Sequence, residues 1–204
     1  MTYKGKLPKQ QRRIGLTGGI ASGKSTISKY ISEEKKIKVF DADNYAKQLI
    51  IPGENSYKKI IEHYGPKIIN KESINNEINT SKLKNIIFNN HHEKIWLENL
   101  LHPLIKNQMA NDCLRFKEKK TLILEIPLLF EANFNDLCTE IWLVKCSENI
   151  QRERLMKRDK LNKSEAGKLI SSQMSNEEKE KRADIVLVNE NNINPWKFEV
   201  DQLI

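Results

Sequence analysis

The residues best suited to chemistry lie in one glycine-containing stretch near the start of the chain. Residues 18–25 read GGIASGKS, which matches the pattern GxxxxGK(S/T), and Thr26 follows. The glycines permit a tight turn whose backbone N–H groups point at phosphate oxygens, and a following helix adds its partial positive charge. Lys24 suits the β- and γ-phosphates of a nucleoside triphosphate, and the Ser25 hydroxyl suits a bridging Mg²⁺ ion. The pattern predicts a nucleoside triphosphate as ligand but leaves the phosphoryl acceptor open.

Two carboxylates, Asp41 and Asp43, follow a short apolar segment at 38–40. Ligands of open α/β sheets bind at the carboxyl edge of the strands, and a carboxylate there can accept a proton from an attacking hydroxyl. If the strand continued through both residues, alternation would place them on one side. Asp43 is equally suited to cap the helix predicted to follow, and the spacing alone favours neither role.

A basic segment near residue 155 carries Arg154 and Arg158, which share one face if the segment is helical. Such a pair could close over a triphosphate, because guanidinium groups match phosphate geometry. The alternative is a solvated face with salt bridges to Glu153 and Asp159. A phosphate-binding loop in the same chain favours the first interpretation, since phosphoryl transfer needs counter-charge on an element that excludes water.

Two further candidates are weaker. His102 lies in an apolar helical pattern, where a lone histidine is usually a packed, hydrogen-bonded residue. Glu125 lies in a nearly continuous apolar run at 121–126. It could support Mg²⁺ indirectly, or it could be a strand-end residue that faces a helix N-terminus.

The elements that must position these residues follow from hydrophobic patterning. Residues 13–17 predict a strand, 24–34 a helix and 38–40 a second strand, which is the opening of a parallel α/β sheet. Residues 44–119 show helical patterns without a convincing strand, and Pro103 is expected to kink the last of these helices. Further strands are predicted at 121–126, 140–144 and 184–189.

Composition limits the classes of protein to which the chain can belong. The chain has 204 residues, of which 38% are hydrophobic and 30% charged, which fits one folded domain with a small insertion. No apolar run approaches the roughly 20 residues of a membrane-spanning helix. The first residues lack a secretory signal pattern, and the three cysteines show no metal-binding spacing, so we expect a cytoplasmic protein with reduced thiols.

The net charge of +8 is concentrated in two segments. Residues 1–13 hold five basic residues and no acidic one, and residues 152–168 hold seven basic and three acidic residues. The total alone suggests a polyanionic partner, so a nucleic-acid-binding ATPase is one hypothesis. The distribution instead indicates a basic tail, a basic segment suited to phosphates, and a body without excess positive charge.

In chain order, the segments LTGGIASGKST, DAD, LENLLHPLI, IPLLFE, an arginine-rich segment ending in RD, SQM and ADIVLVN together resemble the dephospho-coenzyme A kinase family. The resemblance covers residues 14–190. It implies a three-layer α/β P-loop kinase fold with a five-stranded parallel sheet, a helical substrate-binding insertion and a lid. It also implies transfer of phosphate from ATP, with Mg²⁺, to the ribose 3′-hydroxyl of dephospho-CoA, giving CoA and ADP.

The resemblance assigns segments and residues to these parts. The segments are a flexible basic arm (1–12), a nucleotide-binding core (13–43, 101–147 and 176–204), a substrate-binding insertion (44–100) and a lid (148–175). The catalytic residues are Asp43 as general base, Lys24, Arg154 and Arg158. The nucleotide-binding residues are Gly18, Gly19, Ala21, Ser22, Gly23, Lys24, Ser25, Thr26 and, near adenine, Asn189. The substrate-binding residues are Asp41, Asp43, Lys47 and His102, and Ser25 is the Mg²⁺ ligand.

Two positions depart from the family pattern, because Lys47 and Lys168 stand where arginine is usual. The charge is kept but bidentate geometry is lost. The expected partner is the small-molecule substrate, with no nucleic acid and no membrane, in a monomer or small homo-oligomer. The alternative enzyme is a P-loop kinase of another hydroxyl metabolite or of a nucleoside monophosphate.

Overall fold

The computed structural model describes residues 6–190 and 195–204. The chain forms two compact units. One comprises Lys6–Asp41 and Cys113–Ile204, and the other contains Ala42–Asp112. Within the described ranges, no helix has the length and apolar character needed to cross a membrane.

The first unit, here the sheet unit, is built on a parallel β-sheet. Its described strands are β1 (Arg12–Gly18), β2 (Lys38–Asp41), β3 (Thr121–Glu125), β4 (Glu140–Lys145) and β5 (Ile185–Val188). Their order is β2-β3-β1-β4-β5, and each neighbouring pair is parallel. The five strands predicted from the sequence are therefore confirmed, with ends that differ by at most one residue.

The described helices lie in both units. They are α1 (Lys24–Glu34), α2 (Ala42–Leu49), α3 (Asn55–Tyr64), α4 (Thr80–Asn89), α5 (His91–Arg115), α6 (Glu148–Asp159), α7 (Lys163–Ser171), α8 (Asn176–Glu180) and α9 (Pro195–Leu203). Helix α1 has the bounds that the sequence predicted. Helix α5 continues without a break through Pro103.

The core of the sheet unit forms because the central strands are apolar along nearly their whole length. Ile14 and Leu16 of β1 are fully buried, as is Trp142 of β4. Ile27 and Ile31 of α1 join the same cluster. Burial of this kind contributes roughly 25 cal/mol per Å² of apolar surface, and it fixes the end of β1 from which the glycine-containing loop departs.

The predicted basic arm differs from the structure at its C-terminal end. Gln11 is buried, and its Nε2 donates to the Phe116 carbonyl at 2.9 Å. Arg12 is the first residue of β1 and pairs with Glu140 at 2.5 Å. Residues 11 and 12 are thus part of the sheet unit and not of a flexible arm, because the buried amide of Gln11 and the ion pair of Arg12 hold them in place. Residues 1–5 lie outside the described residues.

The second unit, here the helical unit, contains α2–α4 and α5 up to Asp112. Its apolar residues recur at helical spacing, and those buried along α5 are Leu97, Leu101, Ile105 and Met109. Because α5 is continuous, the boundary predicted between 100 and 101 falls inside a helix. An isolated antiparallel bridge joins Ile69 to Ile78, a contact that the sequence did not predict.

Candidate active site

The loop between β1 and α1 can take its path only because glycine occupies key positions. Gly23 has φ +95°, a left-handed conformation that L-residues rarely adopt. A Cβ on Gly23 would lie 2.0 Å from Nδ2 of Asn189, and one on Gly19 would lie 2.1 Å from Nε2 of Gln151. A side chain at either position would displace the amide group that it meets, so glycine suits the tight turn predicted here.

The N-terminus of α1 is suited to an anion. Gly23 is the N-cap residue and has no side chain to bond the N–H groups of the first turn. These N–H groups and the helix dipole favour a negatively charged ligand at this end. The Ser25 hydroxyl belongs to the same turn and is exposed. The geometry therefore fits a phosphate group with a cation beside it.

Lys24 lies under the loop and is largely buried. Its Nζ donates to the Gly18 carbonyl at 2.8 Å and to the Gly19 carbonyl at 3.0 Å. These bonds hold the ammonium group beside the loop backbone. A charge held in this way needs little reorganisation when a phosphate arrives, which is how preorganised electrostatic stabilisation works.

Arg154 and Asn189 bind the carbonyl groups of the loop. Nη1 of Arg154 donates to the Ala21 and Ser22 carbonyls at 3.4 and 3.3 Å. Nδ2 of Asn189, which is buried, donates to the Ser22 carbonyl at 2.8 Å. Nη2 of Arg154 also donates to the Asn189 carbonyl at 3.1 Å. The structure thus brings these predicted residues together as supports of the loop.

Arg158 is placed differently from Arg154. Its Nε and Nη2 donate to the two carboxylate oxygens of Asp159 at 2.8 and 2.7 Å. This hydrogen bonding raises the pKa of Arg158. Its side chain is 59% exposed. The salt bridge considered as an alternative from the sequence is therefore present for Arg158, whereas Arg154 donates to the loop carbonyls.

Glu125 lies at the carboxyl end of β3, where the sheet register pairs it with Asp41 of β2. It is buried, and its Oε2 accepts a hydrogen bond from the Ser28 hydroxyl of α1 at 2.5 Å. The structure shows a contact between Glu125 and a neighbouring helix, and the indirect support of Mg²⁺ stays a prediction.

In the helical unit, Asp43 lies inside the first turn of α2, which begins at Ala42. The strand ends at Asp41, so the alternation that would have placed the two carboxylates on one side does not apply. Asp43 is not the N-cap residue either, because the helix starts before it. Its side chain is exposed, and Lys47 lies one turn further along on the same helix.

His102 is a half-buried residue of α5. Burial lowers its pKa, and Lys94 lowers it further, whereas Glu98 acts in the opposite direction. The imidazole is therefore mainly neutral near pH 7, in which state one ring nitrogen donates and the other accepts a hydrogen bond. That state suits contact with an uncharged polar group.

Three residues without a predicted role contact the loop or its supports: Gln151, Gln173 and Asn176. The Ile20 N–H donates to Oε1 of Gln173 at 2.8 Å, and the Ile20 carbonyl accepts from Nε2 of Gln151 at 2.8 Å. Nδ2 of Asn176 donates to Oε1 of Gln151 at 3.4 Å. Gln173 belongs to the SQM segment, which was a usable signal, whereas nothing in the charged α6 sequence singled out Gln151.

A phosphate-binding loop joining the central strand of a five-stranded parallel sheet to α1, with a buried lysine beneath it, defines a P-loop kinase fold. Within that class the sequence is specific, because the family profile for dephospho-CoA kinase matches residues 12–195. The chain belongs to the dephospho-CoA kinase family.

The chain is similar to individual proteins over nearly its whole length. A dephospho-CoA kinase from Prochlorococcus marinus subsp. pastoris is 52% identical over 204 residues, which is 100% of both chains. A Thermus thermophilus crystal structure has a TM-score of 0.79 at 27% identity and covers 96% of this chain and 97% of that chain. Dephospho-CoA kinase from Campylobacter jejuni has a TM-score of 0.64 at 29% identity and covers 94% of both chains.

Proposed function

We propose that this chain transfers the γ-phosphoryl group of ATP to the ribose 3′-hydroxyl of dephospho-CoA, giving CoA and ADP, the last step of CoA biosynthesis. Membership of the family makes ATP the donor and a small molecule the acceptor. The observation that carries the proposal is the loop around Lys24, in a chain that matches the family over its whole length. The loop supplies the site for the donor, and the family supplies the acceptor.

The chain's own groups account for donor binding. The N–H groups of the loop and of the α1 N-terminus would bind phosphate oxygens. Lys24, held beside the loop by the Gly18 and Gly19 carbonyls, would supply positive charge to the β- and γ-phosphates. Because Arg154 and Asn189 already bind loop carbonyls, the loop needs no rearrangement to accept the phosphates. This preorganisation lowers the cost of binding and of transition-state stabilisation.

Mg²⁺ fits the exposed Ser25 hydroxyl, which can serve as one ligand among phosphate oxygens and water. When bound, the ion neutralises charge on the β- and γ-phosphates. No group of three or more His, Cys, Asp or Glu side chains suited to a metal ion occurs within 6–190 and 195–204. A single hydroxyl ligand is in keeping with a cation that is held chiefly by its nucleotide.

For the acceptor, we assign Asp43 as the base that takes or orients the 3′-hydroxyl proton. An exposed carboxylate in the first turn of a helix can reach a bound ligand at the protein surface and accept a proton from its hydroxyl group. Asp41, Lys47 and His102 are assigned to the substrate. Lys47 lies within the substrate-binding insertion assigned to 44–100, and Asp41 and His102 flank that segment in the sequence. Lys47 replaces the usual arginine and contributes a point charge instead of a bidentate contact.

The segment 148–175 is assigned as the lid. Arg154 acts from it on the loop, and Arg158 exchanges Asp159 for a phosphate oxygen when ATP binds. That exchange costs little, because an exposed ion pair contributes about 0–1 kcal/mol. Asn189 is assigned to the adenine side of the nucleotide through its remaining amide oxygen. Lys168 supplies further positive charge on α7.

We also assign the protein to the cytoplasm as a monomer or small homo-oligomer that binds neither nucleic acid nor membranes. The three cysteines are free thiols. Burial raises the pKa of Cys138 to about 12, so this thiol stays protonated and unreactive at neutral pH. Such thiols are typical of a reducing compartment.

The function is tested by measuring ADP release with a panel of acceptors at fixed ATP and Mg²⁺. Dephospho-CoA is expected to give turnover, whereas nucleoside monophosphates and other hydroxyl metabolites are expected to give only the background rate. Added RNA or DNA should leave the rate with dephospho-CoA unchanged. Faster turnover with a nucleoside monophosphate than with dephospho-CoA would overturn the substrate assignment while leaving the loop assignment intact.

A further inference from the structure

Ile20, in the middle of the loop, has both of its backbone polar groups bound by glutamine side chains. Its N–H donates to Oε1 of Gln173, and its carbonyl accepts from Nε2 of Gln151, each at 2.8 Å. Gln151 lies on α6, whereas Gln173 lies between α7 and α8. Two separate parts of the chain therefore meet at one loop residue.

Asn176 extends these contacts into a network. Its Nδ2 donates to Oε1 of Gln151 at 3.4 Å and to the Cys146 carbonyl at 3.1 Å. Both ends of the Gln151 amide are then engaged, so its orientation is set and Nε2 is directed at Ile20. Gln151 is also buried, which makes the loss of either bond costly because the freed polar group cannot reach water.

An ion pair anchors the chain next to Gln173. Oε1 of Glu131 accepts from the Met174 N–H at 3.1 Å and lies 3.0 Å from Nζ of Lys179. Lys179 is fully buried, so the pair cannot open without leaving an uncompensated charge inside the protein. Because Met174 directly follows Gln173, the anchor limits where the Gln173 side chain can reach.

The backbone beside this network is strained. Ala21, the residue after Ile20, has φ +57°, which is uncommon for a residue with a side chain. Such a conformation persists only where neighbouring contacts determine it. The adjacent contacts are the two bonds to Ile20 and the bond from Nη1 of Arg154 to the Ala21 carbonyl.

We propose that Gln151 and Gln173 are positioning residues that clamp Ile20 and so hold the loop in its phosphate-binding conformation, with Glu131 and Lys179 anchoring the Gln173 side. The glutamines act through the loop backbone, not through contact with the reacting atoms. The proposal rests on the proposed function only in taking the loop as the ATP site. It adds two side-chain contacts that set the affinity of that site.

Hydrogen–deuterium exchange of residues 18–22, measured without nucleotide, tests the clamp directly. Gln173→Met removes the acceptor of the Ile20 N–H and is expected to speed exchange there about fivefold to tenfold, as expected for the loss of one hydrogen bond. Gln173→Glu keeps an acceptor oxygen and should restore protection. The control Glu177→Gln, on the exposed face of α8, should match the wild type.

ATP affinity supplies a second readout. Gln173→Met and Gln151→Met are each expected to raise the Kd for ATP about fivefold to tenfold. The double variant should resemble the weaker-binding single variant, because one broken contact already releases Ile20. Effects that multiply would contradict a shared action through Ile20.

The outcomes separate this inference from the proposed function. If the wild type binds ATP but Gln173→Met shows the same exchange at residues 18–22 as the wild type, the clamp is overturned and the proposed function is not. A wild-type chain that fails to bind ATP would count against the proposed function. Gln173 is only half-buried, so both of its variants are expected to fold, and they decide the question even if Gln151→Met does not.

Discussion

Replacing Gly23 with alanine tests how closely the loop is packed against its supports. Gly23 has φ +95°, and an added Cβ would lie 2.0 Å from Nδ2 of Asn189. That amide group is buried and donates to the Ser22 carbonyl at 2.8 Å. Gly23→Ala therefore imposes two costs, a left-handed alanine and the displacement of Asn189.

The two costs can be estimated separately. A left-handed backbone costs an L-residue about 1 kcal/mol relative to glycine. Displacing Asn189 loses one hydrogen bond and crowds a packed site, which together cost about 2 kcal/mol. The variant should be destabilised by about 3 kcal/mol, which lowers Tm by about 6–12 °C for a chain of this size.

Gly53→Ala is the matched control. Gly53 has φ +105°, but among the described residues only its own two chain neighbours lie near the position that an added Cβ would take, so only the backbone cost applies. Its Tm should fall by about 2–4 °C. Thermal unfolding is followed by circular dichroism without nucleotide, because a bound ligand would shift Tm by itself.

Making Gly23→Ala in the Asn189→Ala variant isolates the contact between a Cβ at position 23 and the Asn189 side chain. With the amide removed, adding Gly23→Ala should cost only the backbone contribution of about 1 kcal/mol. If Gly23→Ala lowers stability equally in the wild type and in Asn189→Ala, Gly23 is not closely packed on Asn189. A loss of stability in Gly23→Ala no larger than that in Gly53→Ala would refute the packing as well.

The remaining predictions concern charge and protonation. Lys24→Ala should lower kcat about 100-fold or more with an unchanged circular dichroism spectrum, because phosphate charge loses its preorganised partner; full activity would contradict the loop assignment. Asp43→Asn should lower kcat about 100-fold to 10,000-fold while ATP titration gives the wild-type Kd; unchanged turnover would exclude Asp43 as the base. Arg154→Lys should weaken ATP binding in the same titration, because Arg154 donates to the carbonyls of Ala21, Ser22 and Asn189. Arg158→Lys should lower kcat while leaving the Tm of the nucleotide-free protein almost unchanged. A lowered Tm with unchanged kcat in Arg158→Lys would refute the role of Arg158 in catalysis. His102 has a pKa below 6.5 in the folded chain because burial disfavours its charged form, so its contribution to stability is complete above pH 6.5 and is lost as pH falls through the lowered pKa. The Tm of His102→Gln should therefore fall less between pH 7.5 and pH 5 than that of the wild type, and equal losses would contradict the lowered pKa.

Local patterns predicted the sheet unit well, because each of its elements has a strong local cause. Leu122, Ile123 and Leu124 are fully buried, and such a continuous apolar run predicts a strand that is covered on both faces of the sheet. Helix α1 follows from its position after the glycine loop. Helix α5 continues past Pro103, since the packing of an apolar helix can outweigh the loss of one backbone hydrogen bond, and the expected kink stays a prediction.

The site was less predictable where it depends on side chains distant in sequence. The pattern that marks the loop names Lys24 and Ser25 but not the groups that bind the loop carbonyls. Gln151 is 131 residues away from Ile20, and no local pattern signals that contact. Likewise, Arg154 and Arg158 lie four residues apart on one helix, yet Arg158 pairs with Asp159 whereas Arg154 donates to the loop carbonyls.

Identification of the product formed from ATP, Mg²⁺ and dephospho-CoA tests the proposed reaction itself. Phosphorus NMR and mass spectrometry together show how many phosphoryl groups are added and on which oxygen. We expect one equivalent of ADP for each molecule of CoA, with the new phosphate on the ribose 3′-oxygen. Phosphate at another position, or ADP formed without a phosphorylated acceptor, would contradict the account.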